Sequence, residues 1–298
     1  MGAVTVPQVP VADSALVGLC AVLGLLVGSF LNVVIARVPA GESVVRPGSR
    51  CPRCGAPIAA RDNVPVLSWL LLRGRARCCG APISWRYPAV ELLTAGAFAL
   101  VAAWATTAWT PSLLGQAPDA AARDSLGPLA WDGSLWPLPA FLYLAAVSIA
   151  LGAIDLDTYR LPFWIVVPSW WAAGVLLGGA ALLLGHPGAV GRMLLGGLAL
   201  WGLYRLLHLV YPSGMGYGDV RLAGLIGMYL AWVDWGALVV GAFAGVLVGG
   251  IGGVAVLIAQ RSGLKTQIPY GPYMLVGTWV GLFWGQAVMS AYLRGITG

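Results

Sequence analysis

Residues 14–37 read SALVGLCAVLGLLVGSFLNVVIAR: no formal charge until Arg37 closes the run. A helix that crosses the hydrocarbon core of a bilayer needs about 20 apolar residues, and this stretch supplies them. Beyond it the chemistry changes at once. Arg37, Arg46, Arg50, Arg53, Arg61, Arg73, Arg75, Arg77 and Arg86 crowd the next fifty positions, and a short loop rich in arginine stays on the cytoplasmic side of a membrane. The first run therefore reads as a span with its N-terminus outside. Residues 1–13 hold neither Lys nor Arg, so a removable signal sequence is not expected and the run is read as a retained anchor.

The rest of the 298-residue chain has the same character, with 59% hydrophobic residues, 9% charged, 14 Trp and mean hydropathy +0.84. Soluble domains carry about a quarter charged residues. Further apolar stretches lie near 88–108, 137–154, 163–184, 190–210, 220–233, 236–259 and 270–293, making eight expected spans, the sixth the shortest. Threaded alternately, they put 14 of the 17 basic residues inside and only Arg123, Arg192 and Arg294 outside. The fold class expected is an all-α polytopic membrane protein of about eight transmembrane helices carrying a small cytoplasmic, zinc-ribbon-like loop domain. The divisions expected are an outer N-terminus and first helix at 1–36, a cysteine-containing loop domain at 37–87 and a seven-helix portion at 88–298. The net charge of +6 is accounted for by topology and anionic headgroups, which removes the case for a nucleic-acid partner. Gly241, Gly245, Gly249 and Gly253 recur every fourth residue, a small-residue stripe that lets helices approach closely in lipid.

Inside the basic loop, CPRCGAPI at 51–58 is echoed by ARCCGAPI at 76–83. Two tight turns presenting thiolates are how a zinc ribbon closes its site. Aligned on CGAPI, Cys54 matches Cys79, but Cys51 matches Ala76 and Cys78 stands opposite Arg53. Cys51, Cys54, Cys78 and Cys79 are the candidate metal ligands, zinc the candidate ion, and a metal-free knuckle pair the alternative. Disulfides are not expected in a reducing compartment. Cys20, within the first span, reads as a small apolar filler.

Ionisable groups inside a membrane are costly and are retained mostly for function. Of the 11 acidic residues, seven fall in loops or outer segments. Glu91 opens the second span within reach of Arg86 and reads as structural. Asp155 and Asp157 end the third span in AIDLDTYRLP, and Asp219 opens the sixth; alternate threading puts both ends on one side of the membrane. Two carboxylates held together share a proton, so that one can activate a water while the other protonates a carbonyl or a leaving amine. Asp155, the deeper, is preferred over Asp157, which points elsewhere on the helix. The glycines of GMGYGDVRL, Gly214, Gly216 and Gly218, leave backbone open to an extended substrate, and Pro269, Gly271 and Pro272 in IPYGPY form a second irregular strip beside the same cleft. Competing hydrolase patterns are weak: SGLK at 262–265 has no partner motif, and His186 and His208 have no nucleophile nearby. An ion or metal transporter using the intramembrane carboxylates, and a non-catalytic scaffold, are the rival functions.

GSFLNVVIARVP, the paired-cysteine loop running through RDNVPVLSWLLLRGR to CGAPISWRYPAVE, AIDLDTYRLP, GMGYGDVRL and PYGP resemble, in order, the motifs of the type IV prepilin peptidases, the bacterial branch of the GxGD aspartic proteases. The resemblance implies an inner-membrane aspartic endopeptidase with its site facing the cytoplasm. It implies a prepilin or type II secretion pseudopilin as substrate, cut after a glycine to release a short basic leader. It also implies catalytic roles for Asp155 and Asp219 and, in many members, methylation of the new N-terminus by S-adenosylmethionine. Two positions depart from the pattern. Phe163 follows Leu161 and Pro162 where members commonly have an acidic residue, and Ala76 stands where a second C-x-x-C begins.

Overall fold

The computed structural model describes residues 11–108, 135–212, 215–260 and 269–297. Gly214, the SGLK stretch, Arg123 and the acidic residues of the 109–134 loop lie outside them. Eight long helices carry the described chain: α1 (Val11–Arg37), α3 (Arg86–Ala108), α4 (Leu138–Thr158), α5 (Phe163–Leu183), α6 (Pro187–Val210), α7 (Tyr217–Val233), α8 (Trp235–Gln260) and α9 (Gly271–Thr297). Between α1 and α3 lie one 3₁₀ turn (Ala60–Asp62) and one short helix, α2 (Leu67–Leu71). Among the described residues, extended pairing is confined to two isolated bridges, Arg50 with Pro57 and Arg75 with Pro82. The all-helical, multi-pass architecture and the small loop domain expected from the sequence are both present.

Seven of the eight long helices have the length and hydropathy to cross a bilayer. The exception is α7, the short sixth span of the sequence reading. Its 17 residues reach about 25 Å at 1.5 Å per residue, short of a hydrocarbon core about 30 Å thick. Burial explains how it survives: Val220 and every residue from Leu222 to Val233 are buried, so α7 is sheathed by other helices rather than lipid. Arg192 of α6 caps its far end, donating to the carbonyls of Ala231 at 2.5 Å, Trp232 at 2.6 Å and Val233 at 3.1 Å. Those are orphan acceptors of the last turn, and a forked guanidinium satisfies three of them.

Close helix packing follows from small residues. A Cβ on Gly227 of α7 would lie 2.4 Å from the carbonyl oxygen of Gly196 in α6, and one on Gly277 of α9 would lie 2.3 Å from the backbone nitrogen of Gly245 in α8. Gly241 and Gly245 of the sequence stripe thus serve helix contact. At the core, Phe141 meets Trp104, Tyr229 and Trp232 edge-on at 5.2–5.9 Å. The polar tips of those last two rings are satisfied by the carbonyls of Ala140 and Leu177, each at 3.0 Å.

The helices alternate in direction, which brings one set of termini to the end that carries the loop domain. Asn32 of α1 donates to the Tyr87 carbonyl at 3.1 Å, and Arg37 donates to the carbonyls of Ser43, Pro47 and Gly48. The residue that ends the first span therefore also folds the start of the loop. At this end α4 stops because Tyr159 takes a left-handed conformation, φ 55°, with its N–H on the Asp155 carbonyl at 2.8 Å. A four-residue link, 159–162, closes with Pro162 at the N-cap of α5. That link holds Leu161, which organises the site.

Candidate active site

Asp155 lies in the last turn of α4 and is 4% exposed. Its Oδ2 accepts a hydrogen bond from the backbone N–H of Gly271, 3.0 Å away at the start of α9. A Cβ at residue 271 would fall 2.8 Å from that same oxygen and 3.2 Å from Leu161 Cδ2, so only glycine lets the chain come this close. Pro272 occupies the first turn of α9, where a missing N–H costs nothing, and Pro269 lies in the irregular approach to it.

Asp219 is the third residue of α7 and half-buried. Its Oδ2 accepts the N–H of Gly216 at 3.2 Å, the reach-back of an acidic side chain at the third helical position. Gly216 has an ordinary extended backbone, φ −70° and ψ 144°, and Gly218 is helical. The glycines are thus needed for closeness, not for left-handed conformations: a Cβ on Gly218 would lie 2.9 Å from Leu161 Cβ. Leu161 accordingly sits against both Gly218, which precedes Asp219, and Gly271, which bonds Asp155, so the ends of α4, α7 and α9 that carry the two carboxylates converge on it. Both occupy terminal helical turns at one end of the bundle, although they stand 64 residues apart in the chain.

Two neighbours sort differently from the sequence expectation. Arg86 pairs with Asp157, not with Glu91; α3 and α4 are thereby tied two residues beyond Asp155. Glu91, 7% exposed, instead accepts the N–H of Val66 at 2.7 Å. Val66 has a positive φ of 59°, an unfavourable state for a β-branched residue, and the buried carboxylate of α3 anchors it.

Two family models match the chain: a bacterial peptidase A24 N-terminal domain over residues 22–105 and the type IV leader peptidase family over residues 142–254. Among curated proteins, the prepilin leader peptidase/N-methyltransferase of Stutzerimonas stutzeri is 35% identical over 93% of each chain. The protein of the same name from Aeromonas hydrophila is 36% identical over 90% of this chain and 91% of its own. The chain belongs to the type IV leader peptidase family. A further relative so named, from Myxococcus xanthus, is 39% identical over 83% of this chain and 65% of its own. No solved structure gives a significant match.

Within this leader peptidase family frame the two departures acquire physical form. Phe163 is occupied by a cation: the Arg221 guanidinium lies 4.9 Å from its ring centre and 4.5 Å from that of Tyr217. An aromatic pair therefore holds the arginine two residues after Asp219 by cation–π attraction.

The cysteine loop resolves the second departure. Cys51 and Ala76 make matching turns, Cys51 donating its N–H to Ala56 at 2.9 Å and Ala76 to Ala81 at 2.8 Å, with Gly55 and Gly80 at φ +71° and +69°. Ala76 thus occupies a cysteine's place in an intact second knuckle. Cys78 fills the vacancy from a different position: the Sγ atoms of Cys51, Cys54, Cys78 and Cys79 all lie within 4.8 Å of one another. Three separations are 3.3 Å (Cys54–Cys78), 3.7 Å (Cys51–Cys79) and 3.9 Å (Cys78–Cys79). Four thiolates around a tetrahedral zinc at about 2.3 Å stand about 3.8 Å apart, so the group fits such an ion. Backbone N–H groups of Cys54 and Arg53 bring the Cys51 thiol down to about 6, which favours the thiolate a metal requires. Hydrogen bonding to Cys54, followed by burial, pushes Cys78 up to about 12. The knuckles are braced by Arg77, whose Nε is 2.9 Å and 3.1 Å from the two Asp62 oxygens.

Leu161, Tyr204 and Tyr270 belong to the site but were not singled out from the sequence. Tyr204 and Tyr270 bring their hydroxyls to 3.5 Å of each other, and Tyr270 immediately precedes the Gly271 that bonds Asp155. A tyrosine between Pro269 and Gly271 was the available signal. Nothing in the pattern around Tyr204 distinguishes it from a packing residue of α6.

Proposed function

We propose that the chain is a membrane aspartic endopeptidase that removes the leader of type IV prepilins or pseudopilins, with Asp155 and Asp219 as its catalytic pair. The observation that supports this reading is the convergence on Leu161 of Gly218, beside Asp219 on α7, and Gly271, whose N–H bonds Asp155 on α4. One carboxylate takes a proton from a water as its oxygen attacks the scissile carbonyl; the other gives a proton to the carbonyl oxygen. Collapse of the tetrahedral intermediate breaks the C–N bond, and the proton taken from water leaves with the amine. The substrate is a helical, membrane-inserted pilin preceded by a basic leader, and cleavage follows a glycine. Gly216, Gly218, Pro269, Gly271 and Pro272 border the cleft that receives it. The site faces the cytoplasm from the bacterial inner membrane, since the loop domain at the same end carries the arginines. The exposed apolar side chains of the outer helices contact lipid. An ion-transport function gains no support from two carboxylates in terminal turns at a single end.

The relatives' second named activity favours N-methylation of the new N-terminus as a further step, with S-adenosylmethionine the expected donor. The cleft of about 280 Å³ between α1 and the loop domain offers Ser29, Phe30, Arg37 and Asn63 but no carboxylate for a ribose or a sulfonium, so it does not fit that donor. Zinc, held by Cys51, Cys54, Cys78 and Cys79, would cross-link the two knuckles and take no part in proteolysis.

In lipid vesicles with a purified prepilin, Asp155→Asn and Asp219→Asn are each expected to abolish leader removal, with helical content and insertion unchanged. Processing by either variant at the wild-type rate would overturn the assignment.

A further inference from the structure

We infer that α2 lies in the membrane, with Leu67, Leu70 and Leu71 set among lipid acyl chains of the leaflet on the loop domain's side. The inference is independent of the catalytic assignment. In LSWLL the three leucines fall at i, i+3 and i+4, one face of a helix, and they are 58%, 57% and 83% exposed. The polar side chains turn inward instead. Ser68 is buried, its Oγ donating to the Arg61 carbonyl at 3.0 Å, and Trp69 donates its Nε1–H to the Ile83 carbonyl at 3.1 Å. A helix with serine inside and leucine outside is amphipathic in the sense opposite to one packed on a soluble domain.

Depth decides what covers the leucine face. The first two spans touch where a Cβ on Gly28 of α1 would lie 2.7 Å from Glu91 Cα of α3. Gly28 stands nine residues before Arg37, which at 1.5 Å per residue puts Glu91 about 13 Å inside the basic end of α1. The Glu91 carboxylate accepts the N–H of Val66 at 2.7 Å, and Leu67 follows directly. Thus α2 starts at the level of the acyl chains. The cleft beside α1 agrees, since Leu26 and Phe30 of that span line it together with Asn63 and Pro65 of the loop. Leu92 and Leu93, next to Glu91 on α3, are themselves 56% and 60% exposed, so the leucine face begins beside surface that already meets lipid. Arg61 and Arg73 flank α2 in the chain and are exposed, suited to the phosphates of anionic headgroups.

The backbone gives an independent sign. In lipid a chain must satisfy its own polar groups, and here the N–H groups of Val64, Val66, Ser68, Leu70, Leu72 and Gly74 each have a protein acceptor. Two of those acceptors are side chains, Ser68 Oγ and the Glu91 carboxylate, the latter a costly group to place at this depth. At an aqueous surface, water would serve the same donors.

The test uses the full-length protein in vesicles of phosphatidylethanolamine and phosphatidylglycerol, with and without a prepilin. Leu70→p-benzoylphenylalanine and Leu71→p-benzoylphenylalanine are irradiated, and the adducts are identified by mass spectrometry. The same substitution at Val175, 72% exposed on α5, is the lipid reference, and at Arg53, exposed in the first knuckle, the aqueous one. Lipid adducts are expected at both leucine positions in yields like that at Val175, with loss of the adduct at Arg53 and no change on adding prepilin. A yield no greater than at Arg53 would overturn the inference. So would adducts formed with the prepilin, or with a second copy of the chain, in place of lipid, because the face would then belong to a protein partner. If the Leu71 variant does not insert, the Leu70 variant decides alone on the same outcomes.

Discussion

Leu161 shows how little space separates the two carboxylates from a neighbouring helix. Its Cβ lies where residue 218 would carry one, at 2.9 Å, so Gly218→Ala must displace either α7 or the link between α4 and α5. Overpacking of this kind costs about 1–3 kcal/mol. Gly218→Ala is therefore expected to lower kcat/KM for leader removal about tenfold, and Leu161→Gly, which removes the atom it meets, to restore part of the loss; steady-state cleavage of a prepilin in vesicles measures both. Asp155 and Asp219 were legible in the sequence because carboxylates at the ends of apolar runs are rare and costly. Leu161 was not, because a leucine before a proline looks like any other apolar residue until its two glycine neighbours are brought to it. The glycines were read as backbone left open to a substrate, and the structure uses Gly218 and Gly271 for clearance between elements, a distinction that spacing alone does not encode.

The loop between α1 and α3 is legible as an internal repeat, and its irregularity is where the sequence falls short. CGAPI occurs twice, so two knuckles were expected; that Cys78 reaches the position left empty by Ala76 depends on how the second turn presents consecutive side chains. The structure makes a specific exchange testable. Cys78→Ser is expected to remove zinc from the purified protein, and Ala76→Cys added to Cys78→Ser to restore about one ion per chain, as read by elemental analysis. No recovery in the double variant would mean that the two knuckles do not match as their hydrogen bonds indicate. Glu91 belongs to the same scale: it was legible as structural, but its partner proved to be Val66 in the loop rather than Arg86, because Asp157 is the exposed carboxylate that Arg86 meets.

Across the whole molecule, the number and order of helices followed from hydropathy, while the inner place of α7 did not. Its length marked it as unusual, and only packing shows that it is surrounded. Arg192 shows the same limit: charge threading placed it at the outer end, and the structure gives it three carbonyls of α7 to cap. Arg192→Ala is expected to destabilise the protein by about 1.5–3 kcal/mol, the range for hydrogen bonds to a charged group, measured by denaturant titration in mixed micelles. Arg192→Lys is expected to recover less than half, because an ammonium cannot fork across three acceptors. Topology has its own check. After chelation, Cys54 is expected to react with a membrane-impermeant maleimide in inverted inner-membrane vesicles and not in intact spheroplasts; labelling in spheroplasts would reverse the orientation. The clamp between Gly271 and Asp155 bears on biogenesis as well. A chain that stops before residue 271 lacks the N–H that secures Asp155, so a polypeptide still emerging from the ribosome, with seven of its long helices made, has no finished cutting centre. On the proposed catalytic assignment, leader cleavage is expected only once the final helix has been made and packed.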